Sequence, residues 1–293
     1  MATLDAVRQL PESEPLARAC SQALAAAAAP TATEVVLGAG ALGDRDPDDA
    51  AVGVVELVAA GIGVSKEIAF SPPAAARPGE SRQSLQAAAG IWMRGEAARL
   101  AATLGDYAVD ALAQAQTRIA TGQAHAFEDL YDPARPPVRC LLVAALRGGA
   151  LFELAVRLGA GDRGSGFPAR LSSIATDLGV AAEIVEQVER IRDPGLAAAD
   201  LRCGVYDLPV SNALDSDPGL AARMTAGLDP ARVGDLVAAL LDTRGVALAL
   251  AMALHRAEGA RLELDEEHGG DELAAIAQRI ADRCEQAGVA DAG

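Results

Sequence analysis

Apolar residues recur at intervals of three and four along most of the chain, which is the spacing that places them on one face of an α-helix. This pattern predicts helices over eight stretches: 15–29, 32–43, 48–69, 81–121, 137–160, 168–192, 231–257 and 271–287. No stretch shows the regular apolar–polar alternation that is typical of a half-buried strand. The pattern therefore predicts an all-α protein.

Turn-forming residues separate the predicted helices. The sequence DRDPDD at 44–49 supplies aspartates that can cap the next helix. Three prolines within 71–79 exclude a continuous helix there, because proline removes a backbone donor and clashes with the preceding turn. No long linker or shift in composition divides the 293 residues, so we expect a single helical domain over 1–293.

Composition and charge narrow the classes of function. Apolar residues make up 51% of the chain but aromatic residues only 3%, so alanine, the best helix former, supplies much of the core. The chain has 41 acidic and 25 basic side chains, a net charge of −16. A field of that sign repels nucleic acid and anionic membranes, and we expect neither as a partner.

The cysteines and the apolar stretches bear on the compartment. The four cysteines are widely scattered, with no C-x-x-C pair: Cys20, Cys140, Cys203 and Cys284. This usage is typical of reduced thiols and predicts a cytoplasmic protein. The two most apolar stretches, 22–42 and 236–254, contain charged residues, so neither predicts a membrane span.

Three local patterns suggest chemistry, but the residues around them favour structural roles. GAGALG at 38–43 has the shape of a nucleotide-binding loop, yet it follows no predicted strand, and we expect it to pack helices. The acidic run at 265–267 precedes the last helix, where acidic side chains are favourable. The three histidines lie too far apart to predict a metal site: His125, His255 and His268.

Several short strings, in order, resemble the trans-isoprenyl diphosphate synthase (polyprenyl synthetase) family over about residues 20–285. They are VEL at 55–57, GDYAVDAL at 105–112, TGQ at 121–123, RGGALFELAVRLGA at 147–160, LGVAAEIVEQVER at 178–190 and DLRCGVYDLPVSNAL at 200–214. The resemblance implies an all-α barrel of long antiparallel helices around a central apolar cavity, usually as a dimer. It also implies two aspartate clusters that hold magnesium against an allylic diphosphate.

Both aspartate motifs are degenerate in this chain. The first falls on 66–70, where Lys66 and Phe70 replace aspartates and Glu67 is the one acid that remains. The second falls on 186–190. Glu186 keeps an acid there, while Gln187 and Arg190 replace the other two aspartates. We therefore expect no magnesium site and no other cofactor.

The positions that hold diphosphate in the family have also changed. Arg147 stands in place of the family's lysine, Arg77 remains from an arginine pair, and Gln123 is kept in the TGQ string. The resemblance makes these three the candidate substrate-binding residues. Two interpretations stay open for the cations: a metal-free anion site formed by Lys66, Arg77, Arg147 and Arg190, or cross-helix ion pairs of Lys66 and Arg190 with Glu67, Glu186 and Glu189.

Three hypotheses of function follow. The first is a noncatalytic accessory or regulatory subunit of an active prenyl diphosphate synthase, as a homodimer or a heteromer. The second is a metal-independent prenyltransferase or terpene cyclase in which Glu67 or Glu186 donates a proton. The third is a module that binds a prenyl lipid without turnover. For association we expect the 81–121 segment to form the interface, with Trp92 either as its anchor or packed inside its own subunit.

Overall fold

The computed structural model describes residues 11–26, 30–44, 46–70, 82–161, 167–225 and 233–289. This described part is 85% helical and contains no strand. The all-α prediction is therefore confirmed.

The described residues form fourteen α-helices. They are α1 Glu14–Ala26, α2 Pro30–Ala39, α3 Asp49–Phe70, α4 Arg82–Leu104, α5 Asp106–Glu128, α6 Pro137–Ala144, α7 Ala150–Ala160, α8 Ala169–Arg192, α9 Pro194–Arg202, α10 Leu208–Ser216, α11 Pro218–Thr225, α12 Val233–Leu241, α13 Gly245–Leu264 and α14 Asp271–Val289. A 3₁₀ turn, Ala41–Gly43, follows α2, and a π-helical turn, Ala145–Gly149, joins α6 to α7 without a break.

Two of the predicted helices are each divided in two. The 81–121 stretch breaks at Gly105, whose φ of 111° lies in a region that side chains other than glycine rarely adopt. The 231–257 stretch breaks between α12 and α13, which meet at an angle of 53°. Apolar periodicity continues across both breaks, so hydrophobic pattern alone could not locate them.

Three short helices, α9 to α11, fold a segment for which periodicity predicted no helix. The start of α9 shows how local chemistry forms them. The Asp193 side chain accepts hydrogen bonds from the backbone N–H groups of Gly195 and Leu196, at 2.8 and 2.9 Å. Pro194 occupies the first helical position, where its missing N–H costs nothing. Each short helix thus depends on its cap and its tertiary contacts more than on its own length.

Helix α8 lies at the centre of the molecule. It packs against α7, α13 and the π-helical turn, and its residues from Leu178 to Val185 are all buried. A helix that is buried on every side belongs to the interior of a bundle. On one flank α3 packs along α4. Helix α2 carries the start of GAGALG at 38–43 and packs on α7, in agreement with the helix-packing role expected for that string. One continuous hydrophobic core extends from Cys20 to Cys284.

The described helices include no single helix that is both long and apolar enough to cross a membrane. The bent pair of α12 and α13 passes that test of length and composition only when the two are taken together.

Candidate functional site

Four groups from three parts of the chain meet between α3, the π-helical turn and α8, and we call them the charge centre: Lys66, Arg147, Gly148 and Glu183. Arg147 Nε lies 3.0 Å from Glu183 Oε1, and a second guanidinium nitrogen contacts the same oxygen. Gly148 N–H donates to Glu183 Oε2 at 2.9 Å. Lys66 Nζ approaches Oε1 from the opposite helix, at 3.9 Å. One carboxylate therefore holds two cations and a backbone donor.

The π-helical turn brings Arg147 and the Gly148 N–H to Glu183. A π turn widens the helix by one residue and is often found at functional sites. A Cβ on Gly148 would lie 2.5 Å from the carbonyl oxygen of Gly179 on α8, so the two backbones can meet this closely only because both residues are glycine. The family resemblance places a threonine at position 148, so this close approach is a departure of the present chain.

Both members of the central ion pair are buried. The Arg147 and Glu183 side chains are only 3% and 6% exposed. Burial alone would raise the pKa of the Glu183 carboxyl, but Arg147, Lys66 and the Gly148 N–H lower it below its ordinary value. Burial likewise opposes the charge on Arg147, yet Glu183 and the more distant Asp207 raise its pKa. The pair is thus fully charged at neutral pH.

Glu186 lies one helical turn beyond Glu183 on α8 and behaves differently. Its side chain reaches solvent, but the surrounding protein removes enough water from the carboxyl to raise its pKa. Lys66 acts in the opposite direction. Glu186 forms no hydrogen bond or ion pair with any described residue.

A second ion pair holds Arg190 near the end of α8. Its Nε and a terminal nitrogen contact the two carboxylate oxygens of Asp200 on α9, at 3.0 and 2.6 Å, a two-point geometry that suits guanidinium and carboxylate. Burial raises the pKa of Asp200 in spite of Arg190. Asp207 influences both Arg147 and Arg190 electrostatically, but its carboxylate makes no direct ion pair within the described residues.

Gln187 has a structural task. Its side-chain oxygen accepts a hydrogen bond from the backbone N–H of Leu208, at 3.2 Å, and so satisfies a free donor at the start of α10. A small cavity beside it is lined by side chains of α8, α9 and α10, with Asp200 and Asp207 among apolar neighbours. An amide that is engaged in this way is a poor replacement for a metal-binding aspartate.

Gln123 is 7% exposed, and neither atom of its amide has a hydrogen-bonding partner within the described chain. It lies on α5 immediately after Gly122, where a Cβ would be 2.7 Å from the Cβ of Leu146 and 3.1 Å from the Cγ of Arg147. Helix α5 thus presses on the π-helical turn beside the charge centre. Gln123 thus follows directly on the residue that packs against Arg147.

Lys66 and Arg190 do form cross-helix ion pairs, but with Glu183 and Asp200, which were not among the predicted partners. Neither cation pairs with Glu186 or Glu189, and Glu189 instead contacts Arg283 of α14. The side chains of Glu67 and Phe70, and Arg77 as a whole, lie outside the described residues.

Sequence reasoning overlooked Glu183 as a site residue, although a signal for it was present. Glu183 is three residues before Glu186, so the two share a helix face, and in the family resemblance it replaces a glutamine. Relative to the family pattern, this chain has gained an acid at Glu183 and a base at Lys66. These are the two complementary changes that an ion pair requires. Asp200 could be found in the same way, as the nearest acid to Arg190 in the following helix.

These residues do not fit the magnesium that the family resemblance implies. Both oxygens of Glu183 are engaged by cations and a backbone donor, and the oxygen of Gln187 is engaged by Leu208. Arg190 is itself a cation, so it would repel a metal ion rather than bind one. Among the described side chains, no group of three or more acids, histidines or cysteines is arranged to hold a metal ion. The donor set is that of a network of ion pairs.

The fold is that of the trans-prenyl diphosphate synthases, and the resemblance seen in the sequence is confirmed at this level. The geranylgeranyl pyrophosphate synthase of Lactobacillus brevis matches with a TM-score of 0.78 at 18% identity, over 96% of this chain and 94% of that one. The heptaprenyl diphosphate synthase of Staphylococcus aureus matches with a TM-score of 0.79 at 13% identity, over 96% of each chain.

The geranylgeranyl pyrophosphate synthase of Corynebacterium glutamicum, complexed with calcium and isoprenyl diphosphate, matches with a TM-score of 0.73 at 22% identity, over 97% of this chain and 95% of that one. No family model and no curated protein matches the chain. At these identities the similarity establishes the fold and leaves the activity to be argued from the site.

Proposed function

We propose that this prenyl-synthase-like protein is a noncatalytic accessory subunit of an active prenyl diphosphate synthase. The observation that carries the proposal is the charge centre, where Glu183 neutralises Arg147 and contacts Lys66. These cations occupy positions that serve diphosphate or its metal ions in the family resemblance. In this chain they are used to hold helices together.

Ionisation of an allylic diphosphate needs strong stabilisation of the leaving anion, which is usually the largest single catalytic contribution. The charge centre offers little, because an anion that bound there would have to displace the buried Glu183 from Arg147. Two further carboxylates, Glu186 and Asp207, add negative charge nearby. The site therefore favours the loss of this reaction over its retention without metal.

The outer surface of α4 supports association. Five exposed residues at helical spacing form what we call the α4 outer face: Ala87, Ile91, Gly95, Ala98 and Ala102. Ile91 is 67% exposed at its middle, with small residues on either side. Small residues allow close approach of another helix. Trp92 is half-buried and packs against the core of its own subunit, so Ile91 replaces it in our proposal as the central contact.

An intact synthase suits this face better than a second copy does. Each copy carries a net charge of −16, and two such chains repel each other on approach. A partner of the same fold but lower charge offers an equivalent pair of helices without that penalty. We therefore propose a heteromer, with the homodimer as the alternative outcome of the test.

The decisive experiment is co-expression with an intact prenyl diphosphate synthase from the same genome, followed by size-exclusion chromatography with light scattering. We expect a stable heteromer that changes product length or rate. The chain alone, assayed with magnesium, isopentenyl diphosphate and C5–C20 allylic diphosphates, should form no product. A chain that stays monomeric beside the synthase and turns over a prenyl diphosphate alone would refute the proposal.

A second candidate function rests on Glu186. A carboxyl with a raised pKa can donate a proton, as in an acid-initiated terpene cyclase or a metal-independent prenyltransferase. Incubation of the chain with prenyl substrates in the presence of EDTA tests this alternative. Product that forms without metal and is lost in Glu186→Gln would favour it over the accessory role.

A further inference from the structure

Among the buried side chains of the described residues, the Gln123 amide stands out because two of its polar atoms lack a hydrogen-bond partner, whereas others such as Gln116 leave one. Its side chain is more than nine-tenths buried, and both its oxygen and its nitrogen lack partners within the described residues. A buried amide without partners is costly, and native proteins seldom leave both ends of one unsatisfied. The amide therefore points to a molecule that supplies both a donor and an acceptor.

The surroundings of Gln123 restrict the body of that molecule. The α5 residues one turn before and after it, Ile119 and Ala126, are apolar and packed into the protein. Gly122, immediately before Gln123, packs against Leu146 and the aliphatic stem of Arg147 on the π-helical turn. A ligand that reaches the amide thus contacts mainly hydrocarbon.

The neighbouring charges restrict the head group. Arg147, whose aliphatic stem lies against α5 at Gly122, is already paired with the buried Glu183, which also contacts Lys66. Glu186 and Asp207 both act electrostatically on Arg147 and have no direct ion pair among the described residues, so the uncompensated charge around Arg147 is negative. An anionic head would meet repulsion there and would find no free cation.

We propose that Gln123 recognises the hydroxyl group of an uncharged, apolar alcohol. A hydroxyl has one donor and two acceptor lone pairs, so it can satisfy both ends of a carboxamide at once. A single buried water is a weaker solution, because an ordered water needs two to four polar partners and the adjacent α5 side chains are apolar. Such a ligand is compatible with the accessory role and does not require it.

The test uses two molecules with the same hydrocarbon and different heads: geraniol and geranyl diphosphate. Calorimetric titration of the whole chain without magnesium should show binding of geraniol and at least tenfold weaker binding of geranyl diphosphate. Binding of the diphosphate as tightly as the alcohol, or binding of neither, would overturn the proposal.

Variants separate the amide from the rest of the site. Gln123→Leu removes both polar atoms at similar volume and should weaken geraniol binding about tenfold, the effect of one or two neutral hydrogen bonds. Gln114→Leu, at an exposed position nine residues earlier on the same helix, is the control and should bind geraniol normally. An unchanged affinity in Gln123→Leu would refute the role of the amide.

Stability gives a second readout. Because the free protein leaves the amide unsatisfied, Gln123→Leu should keep or raise the melting temperature while it loses the ligand. A protein that is clearly destabilised by this change would show that the amide has internal partners and would contradict the proposal. The double variant Glu186→Gln/Asp207→Asn should improve geranyl diphosphate binding at least tenfold and leave geraniol unaffected.

Discussion

The charge centre and the α4 outer face differ in the polarity, burial and pairing of their side chains. In the interior, Arg147 and Glu183 are charged, buried and paired with each other. On the outside, Ile91 and its small neighbours are apolar, exposed and unpaired within the chain. The buried charges that a reaction would need are thus already paired with each other. On the surface, an apolar side chain that a monomer would usually bury or replace stays exposed.

The contrast favours the α4 outer face, rather than the interior site, as the functional surface of the protein. A site that performs chemistry on a charged substrate keeps some cations available, whereas here the available contact energy lies on the exterior. Burial of Ile91 against a partner would be favourable by about 1.5–3 kcal/mol, the usual value for a large aliphatic side chain. The predictions below disturb one region or the other and are ordered by the size of the expected effect.

The largest effect should come from removal of one member of the buried pair. Arg147→Met keeps the length of the side chain but leaves the Glu183 carboxylate with the Gly148 N–H and, as its one cation, the more distant Lys66. We expect a loss of about 3–5 kcal/mol in the free energy of unfolding, measured with urea, because an uncompensated charge remains buried.

Two controls accompany this variant. Arg170→Met removes an exposed arginine that contacts Glu263, Glu266 and Glu267, and it should cost at most about 1 kcal/mol. The double variant Arg147→Met/Glu183→Leu should recover much of the loss, because an apolar pair replaces an ionic one. If the single variant were as stable as the wild type, the pair would not be the element that holds this end of the bundle.

The second prediction concerns the α4 outer face. Ile91→Asp should leave the unfolding free energy almost unchanged, since the side chain is exposed, but should weaken the proposed complex at least thirtyfold, about 2 kcal/mol. Ala98→Glu, on the same face, should act in the same direction. Leu262→Asp changes an equally exposed leucine on α13 and is the control. Sedimentation velocity measures all three, and equal effects at Leu262 and Ile91 would contradict the assignment of the face.

Much of the fold followed from hydrophobic periodicity, because long helices with a continuous apolar stripe dominate the chain. The limits of α3 and α8 were predicted within one residue of the structure. The break at Gly105 was not predicted, since the apolar stripe runs through it and only the local backbone conformation reveals it. The short helices α9 to α11 were missed because their caps and tertiary contacts form them, and neither leaves a periodic signal.

The candidate site was accessible to sequence reasoning only in part. The resemblance located Lys66, Arg147, Gln123 and the 186–190 segment. The structure places the first three at or beside the π-helical turn and the 186–190 segment one to two turns further along α8. The resemblance could not supply the partners, because ion pairing depends on side-chain reach across helices far apart in sequence. Glu183 joins groups 117 and 36 positions away.

The third prediction tests the close contact that supports the charge centre. Gly148→Ala would place a Cβ 2.5 Å from the carbonyl oxygen of Gly179 and 2.9 Å from Glu183 Oε2. The π-helical turn must then move away from α8, and we expect a loss of about 1–3 kcal/mol in stability. Gly259→Ala on α13, where the added methyl group meets no atom within 4 Å, is the control and should stabilise by about 0.5–1 kcal/mol. Equal responses at the two positions would show that the backbone contact is not tight.

The smallest effect separates the two glutamates of α8 by their response to pH. The pKa of Glu183 is lowered in the folded protein, so its contribution to stability is present above the ordinary value of 4.5 and is lost as pH falls through the lower folded value. The pKa of Glu186 is raised, so the folded state binds its proton more tightly, and its charge reduces stability as pH rises from 4.5 through the raised value. Glu186→Gln should therefore give a small rise in melting temperature at pH 7 and none at pH 4, because only the charged form is penalised. Glu189→Gln, which changes an exposed carboxyl paired with Arg283, is the control and should not raise the melting temperature at pH 7. A Glu186→Gln protein that is less stable than the wild type at pH 7 would show that this carboxylate is held by a favourable partner, and the contrast between the two glutamates would fail.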